Sequence, residues 1–257
     1  MPTAERGPTV ERGPTVERAP AKLTLSLRIV GVRGDGYHLI DAEMVTLSLA
    51  DELTFGAATK TTLRTTIDFP GGWRGLAISD GPDNLVARAL AQLGRHAEVA
   101  IRKRIPAGAG LGGGSADAAA VYRWAGRIAA EEVAGSAALG ADVPFCIRGG
   151  RARVTGIGEI IEPLAPEPRT FTLLIPPFGI STPAVYRAWD TLKGPTGPEP
   201  NDLEPAALRV EPELARWRDR LGHATGRTPT LAGSGATWFV EGSFPGDGRI
   251  VVTTDRG

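Results

Sequence analysis

Small residues crowd one stretch of this chain, Pro106-Ala107-Gly108-Ala109-Gly110-Leu111-Gly112-Gly113-Gly114-Ser115-Ala116-Asp117, and small residues let backbone amides come close to an anion. The alanine-rich run from Ala116 to Ala125, closing near Gly126, reads as a helix that starts directly behind the glycines. Free N–H groups and the helix dipole then point at one place, for which a polyphosphate is the natural ligand. Gly108, Gly110 and Gly113 also satisfy the dinucleotide pattern G-x-G-x-x-G. That fold, however, puts a continuously apolar parallel strand before its glycines, whereas Ile101-Arg102-Lys103-Arg104-Ile105 is apolar on one face only. A Walker loop is absent because no lysine follows the glycines. A ligand-free surface loop is the bland alternative, and the abrupt entry into a helix ranks it behind phosphate binding.

Elements able to hold such a loop are legible around it. From Lys22 the chain alternates, with Leu23, Leu25, Leu27 and Ile29 on one face and Thr24, Ser26 and Arg28 on the other, which predicts a half-buried strand. Gly31 to Gly36 supplies turn chemistry, and Met44 to Leu49 can return as a partner. Asp83 is placed to cap a helix whose apolar positions are Leu85, Val86, Ala89, Leu90 and Leu93, and Val99 to Ile105 reads as the strand leading into the loop. Past the proline-rich stretch from Pro163 to Pro168, the pattern predicts a strand at Phe171 to Ile175 and a helix at Pro183 to Leu192. A Gly/Pro loop at Gly194 to Pro200, a helix at Leu208 to Leu221 and a strand at Thr237 to Val240 complete it. The class is α+β, divided into residues 19–166, which carry the phosphate loop, and 167–257. Residues 1–18 repeat a Glu-Arg-Gly-Pro-Thr-Val unit too short and too rich in Gly and Pro to bury a face, and are read as a disordered tail.

Bulk properties narrow the class. Lys plus Arg and Asp plus Glu are 29 each, so no net charge favours a nucleic-acid or anionic-membrane partner, and phosphate binding must be local. With Cys146 as the single cysteine, an internal disulfide or multi-cysteine metal site is excluded. No apolar run is long enough for a bilayer span or a secretory signal, and the expectation is a cytoplasmic protein.

Five segments in order, Ala21-Lys22, Asp35-Gly36-Tyr37-His38, the loop from Gly108 to Ala120, Gly140-Ala141-Asp142-Val143-Pro144-Phe145 and Leu231-Ala232-Gly233-Ser234-Gly235, resemble the GHMP kinases. The likeness spans residues 19 to 241. The loop alone indicates the superfamily; the Asp-Gly-Tyr-His and Gly-Ala-Asp-Val-Pro elements narrow the likeness to kinases of 4-diphosphocytidyl-2-C-methyl-D-erythritol. It implies an S5-like N-terminal domain and a ferredoxin-like C-terminal domain, with ATP, Mg²⁺ and a cytidine-linked small molecule in the cleft between them. No nucleic acid or membrane partner is implied, and the chain would be a monomer or homodimer.

By that resemblance Asp142 is the base for the substrate's 2-hydroxyl and Lys22 adds positive charge beside it. Pro106, Gly108 and Gly110 to Ala116 cradle phosphates, Asn84 belongs to the adenine pocket, and no metal-ligating carboxylate is assigned. Tyr37, His38, Thr182 and Tyr186 hold the cytidine part. Thr24 stands where the family usually has asparagine, so a substrate hydrogen bond is lost or rebuilt there. Taken singly, an aspartate before Val-Pro reads as a cap, a lysine at a strand start as solvated, Asn84 as a helix N-cap and each aromatic as core. Rival readings are a homoserine- or mevalonate-type GHMP kinase and a non-catalytic nucleotide-binding homologue.

Overall fold

The computed structural model describes residues 14–69, 77–197 and 200–255. Strand β1 (Thr15–Val32) emerges straight from the repeat and pairs antiparallel with β2 (His38–Ala57). It thus begins inside the stretch assigned to the tail: Thr15 to Arg18 lie opposite Phe55 to Glu52, and this ladder overrides the tail-like composition. Residues 1–13, the rest of that stretch, lie outside the described residues.

The alternation that starts at Lys22 holds only piecewise. Register shifts between Pro20/Lys22, Thr24/Ser26 and Ile29/Gly31 re-aim the strand. Ala19, Leu27 and Ile29 join one core, while Ala21 and Leu23 join another. Lys22 and Thr24, on the polar face of the pattern, are buried all the same.

After β2 come β3 (Thr62–Ile67), α1 (Leu85–Gln92) and β4 (Ala97–Lys103), β3 lying parallel to β4. The cap of α1 is Asn84, not Asp83. Its Oδ1 accepts from Val86 N at 2.8 Å, whereas the Asp83 carboxylate accepts from Ser79 Oγ at 2.7 Å. A cap must reach the second or third helical amide, and a helix starting at Leu85 gives that reach to Asn84. Next is α2 (Gly113–Trp124), whose buried alanines let it lie close against β1 and α1. Two short helices, α3 (Ala130–Gly135) and α4 (Val143–Arg148), precede the hairpin of β5 (Arg151–Gly156) and β6 (Ile160–Pro163).

These six strands form one sheet, ordered β3-β4-β2-β5-β6 with β1 on the other side of β2. The long β2 divides one edge between β5, opposite Ile40 to Val45, and β4, opposite Glu52 to Ala57. Asp51 stands in the gap between them.

The chain then forms β7 (Thr170–Leu174), α5 (Thr182–Thr191), α6 (Glu204–Val210), α7 (Leu214–Thr225), β8 (Thr230–Leu231), β9 (Trp238–Glu241) and β10 (Arg249–Thr253). Its four strands make a second, antiparallel sheet ordered β10-β7-β9-β8. The helix expected over Leu208 to Leu221 is two helices. Pro212 forces its predecessor out of helical geometry, and Glu211 sits at φ −136, ψ 89. Between the sheets lies a core of Ala21, Leu23, Val45, Leu47, Phe171, Leu173 and their neighbours. Isolated bridges at Leu27↔Asn201 and Leu47↔Thr254 tie the halves at their rim.

Candidate active site

Steric exclusion builds the loop. Gly112, the residue before α2, has φ 68, a conformation that side chains strain. A Cβ there would also lie 2.8 Å from Lys22 Cγ, because the lysine stem crosses this glycine. Gly110 faces Gly235 with no room between the backbones: a Cβ on Gly110 would sit 2.7 Å from Gly235 Cα. Thr237 N donates to Ala109 O at 3.0 Å, and the loop is thereby joined to the turn before β9. Asn201 braces the same turn, its Nδ2 donating to Leu231 O (2.9 Å) and Gly233 O (2.7 Å).

Lys22 threads between the two glycine turns. Its backbone N donates to Leu111 O at 3.0 Å, and its ammonium lies beside Gly233. Nζ donates to Thr24 Oγ1 at 3.0 Å and faces Asp142 Oδ2 at 3.3 Å. The lysine side chain is 6% exposed and the aspartate 29%, so the ammonium is fixed while the carboxylate still meets the cleft. Asp142 occupies the cap position of α4 without capping it: no amide of the helix takes its side chain. Pro144 supplies a first turn with one donor fewer to satisfy. The carboxylate is therefore available as a proton acceptor.

The cleft encloses about 840 Å³ and is lined by Lys22, Asp142, Tyr37, His38, Thr182 and Tyr186 among others. Tyr37 and His38 leave a tight turn in which Arg33 N donates to Tyr37 O at 2.7 Å. Arg33 also clamps Asp35, holding that carboxyl down at about 2, and stacks 5.3 Å above the Tyr37 ring. Tyr37 is 58% exposed and presents an open face. Opposite, α5 presents Tyr186, whose phenol is pushed up by burial and then by the charge of Asp142. Thr182 Oγ1 and Ser234 Oγ, 2.7 Å apart, close the rim between α5 and the glycine turn. Cys146, one helical turn on from Asp142, whose carbonyl takes its amide at 3.0 Å, is buried, which pushes its thiol up and leaves it inert.

Beneath the loop is a buried charge cluster that the sequence reading did not single out. Lys103 Nζ donates to Asp117 Oδ2 at 2.6 Å and to Asp51 Oδ2. Asp51 Oδ1 takes the amides of Arg104 (2.5 Å) and Ile105 (2.8 Å), the two residues that lead into the loop. A Cβ on Gly113 would lie 3.3 Å from Lys103 Nζ. Two carboxylates thus share one ammonium, and Asp117 Oδ1 has no hydrogen-bond partner among the described residues. Burial first, with the Asp51 charge adding, raises Asp117 to about 7.

The fold thus brings Lys22, Thr24, Asp142, Tyr37, His38, Thr182 and Tyr186 together and sets the loop from Pro106 to Ala116 against them. Asn84 lies apart from the cleft lining, both its polar groups engaged in its own turn, with Nδ2 donating to Ser79 O at 2.7 Å. Missing from the sequence reading were Asp190, which meets His38, Asn201, and the Asp51–Lys103–Asp117 cluster. Lys103 did carry a signal: it falls on the inward positions of β4, and a lysine on a buried face demands partners.

Residues 84–150 match the family model for the GHMP kinases N terminal domain. The 4-diphosphocytidyl-2-C-methyl-D-erythritol kinase of Paracoccus denitrificans is 39% identical over 238 residues, covering 85% of this chain and 84% of that protein. The enzyme of the same name from Moorella thermoacetica is 35% identical over 257 residues, covering 85% and 86%. Among solved structures, a 4-(cytidine 5'-diphospho)-2C-methyl-D-erythritol kinase superposes with a TM-score of 0.71 at 32% identity, over 95% of this chain and all of that one. Homoserine kinase from Cytophaga hutchinsonii superposes at 0.61 with 14% identity over 98% of both chains, a likeness of fold alone.

Proposed function

The chain belongs to the 4-diphosphocytidyl-2-C-methyl-D-erythritol kinases, within the GHMP kinase fold, and we propose how its cleft divides the work of phosphorylating that substrate from ATP. The reaction serves isoprenoid precursor synthesis. Asp142 accepts the proton of the 2-hydroxyl as that oxygen attacks the γ-phosphorus and the bond to ADP breaks. Lys22, pinned by Thr24 at 3.0 Å, sets positive charge beside the group in transfer. The loop from Pro106 to Ala116 supplies amides for the phosphates. Tyr37 and Tyr186 give the cytosine ring faces to stack on, His38 a polar edge, and Thr182 a hydroxyl at the rim. Asn84 serves the nucleotide side by fixing the start of α1. Thr24 makes the absence of asparagine tolerable, since a hydroxyl suffices to hold the ammonium.

Mg²⁺ belongs to this reading as the companion of ATP, supplying charge neutralisation at the phosphates. Among the described residues no three His, Cys, Asp or Glu side chains gather as a metal centre. Among the same residues no helix is long and apolar enough to cross a membrane, and we place the enzyme in the cytoplasm.

One observation carries the reading: an uncapped carboxylate 3.3 Å from an ammonium that is itself wedged between the two glycine turns. Coupled ADP release tests it, with 4-diphosphocytidyl-methylerythritol, mevalonate and homoserine offered separately. Turnover with the first alone is expected. Turnover with either of the others instead would transfer the chain to a rival kinase, and nucleotide binding with no turnover would make it a non-catalytic homologue.

A further inference from the structure

The His38 imidazole is held on three sides by α5. Tyr186 lies tilted at 4.8 Å and Trp189 edge-on at 5.4 Å between ring centroids, while Asp190 Oδ1 meets Nε2 at 2.8 Å. The ring is 9% exposed, so little freedom remains for it to turn. A carboxylate can only accept, so Nε2 carries the proton of this hydrogen bond. In the neutral ring Nδ1 is then a bare acceptor, and it makes no hydrogen bond to any described residue. His38 and Asp190 both line the cleft.

Building on the function proposed above, we infer that Asp190 is a positioning residue that sets the chemical sense of His38, and through it the choice of pyrimidine. An acceptor at Nδ1 complements an exocyclic amino group and repels a carbonyl. Cytosine presents an amino group at its fourth ring position, and uracil presents an oxygen. Without the carboxylate the ring takes either tautomer, and one of them offers a donor that suits uracil. A site built for one hydrogen-bonding partner rejects the mismatched analogue strongly, because the wrong group leaves a desolvated acceptor unpaired.

The experiment is competition by CMP and UMP against 4-diphosphocytidyl-methylerythritol, at saturating ATP, in the full chain and in Asp190→Ala and Asp190→Glu. Asp190 is 53% exposed on α5, and its truncation leaves the core untouched. The parent should prefer CMP by at least about 10-fold, Asp190→Ala should lose most of that preference, and Asp190→Glu should regain part of it. A merely structural aspartate would weaken both nucleotides equally and leave their ratio alone. Full retention of the CMP preference in Asp190→Ala would overturn this inference while leaving the kinase reading intact. A parent chain that binds neither nucleotide and does not turn over the cytidine substrate would instead overturn the reading on which it rests.

Discussion

Asp117→Asn tests the buried cluster through its dependence on pH. Asp117 keeps its proton in the folded chain up to about 7, against 3.8 for an ordinary aspartate. For a raised carboxyl the folded state binds a proton that the unfolded state has already released. Stability must therefore fall as pH rises from about 4 to about 7, and level off above. The displacement is about three units, and at about 1.4 kcal/mol per unit the ceiling is about 4 kcal/mol. Asparagine keeps an acceptor for Lys103 and cannot ionise, so the variant should lack this slope. Carboxyls held low by arginines, Asp35 at about 2 and Asp41 and Glu241 below their usual values, act at more acid pH and are common to both proteins. Urea unfolding followed by tryptophan fluorescence at pH 5, 6, 7 and 8 is the assay. The variant's stability relative to the parent should rise by about 2–3 kcal/mol between pH 5 and pH 8. Parallel curves across that range would refute the argument, since they would mean that Asp117 stays ionised under Lys103 throughout.

Replacing the base, Asp142→Asn should lower kcat by at least about 100-fold with ATP affinity within about threefold, as read by single-turnover quench and calorimetric titration; normal turnover would show that the carboxylate is not the base. Gly235→Ala places a methyl group on the Gly110 backbone, where neither segment can yield. It should cost about 1–3 kcal/mol in urea unfolding and raise the KM for ATP more than that for the alcohol. Asn201→Ala removes both donors to Leu231 and Gly233 and the acceptor for Leu203 N. Because it strips the brace from the turn facing the loop, it should lower stability by about 1–3 kcal/mol in the same measurement, and an unchanged midpoint would assign the turn's shape to the glycine contact alone.

What was legible in the sequence depended on how local its cause was. The loop and α2 could be read because small residues followed by an alanine run have few other uses. The strand containing Lys22 was legible as a strand, but its bulges were not. A one-residue insertion depends on how β1 meets β2, and nothing in Lys22-Leu23-Thr24 records it. The same blindness hid the start of β1, whose first residues look like tail until Phe55 to Glu52 are placed opposite them. Asp142 and His38 came from a family resemblance, because alone each has a commoner structural use. Asp190 and Asn201 had no signal, since each acts on a residue far away in the chain.

Charge contributes less to this site than its polyphosphate ligand would suggest. Lys22 already faces Asp142, and Lys103 already faces two carboxylates, so neither ammonium adjoining the loop is uncompensated. In the proposed reading, attraction for phosphates comes largely from amides freed at the start of α2, and amides work only if the backbone can be approached. That requirement explains why glycines, rather than further lysines, fill the seam where the loop meets the turn before β9. It also explains how a chain with equal numbers of acidic and basic side chains can bind a nucleotide. The two ammonium groups then have a geometric task beside their electrostatic one: Lys22 fills the space over Gly112, and Lys103 joins the residues that enter the loop to the helix that leaves it. By the same proposal, specificity for the alcohol is left to the opposite wall, where the Asp35 turn and α5 converge on His38.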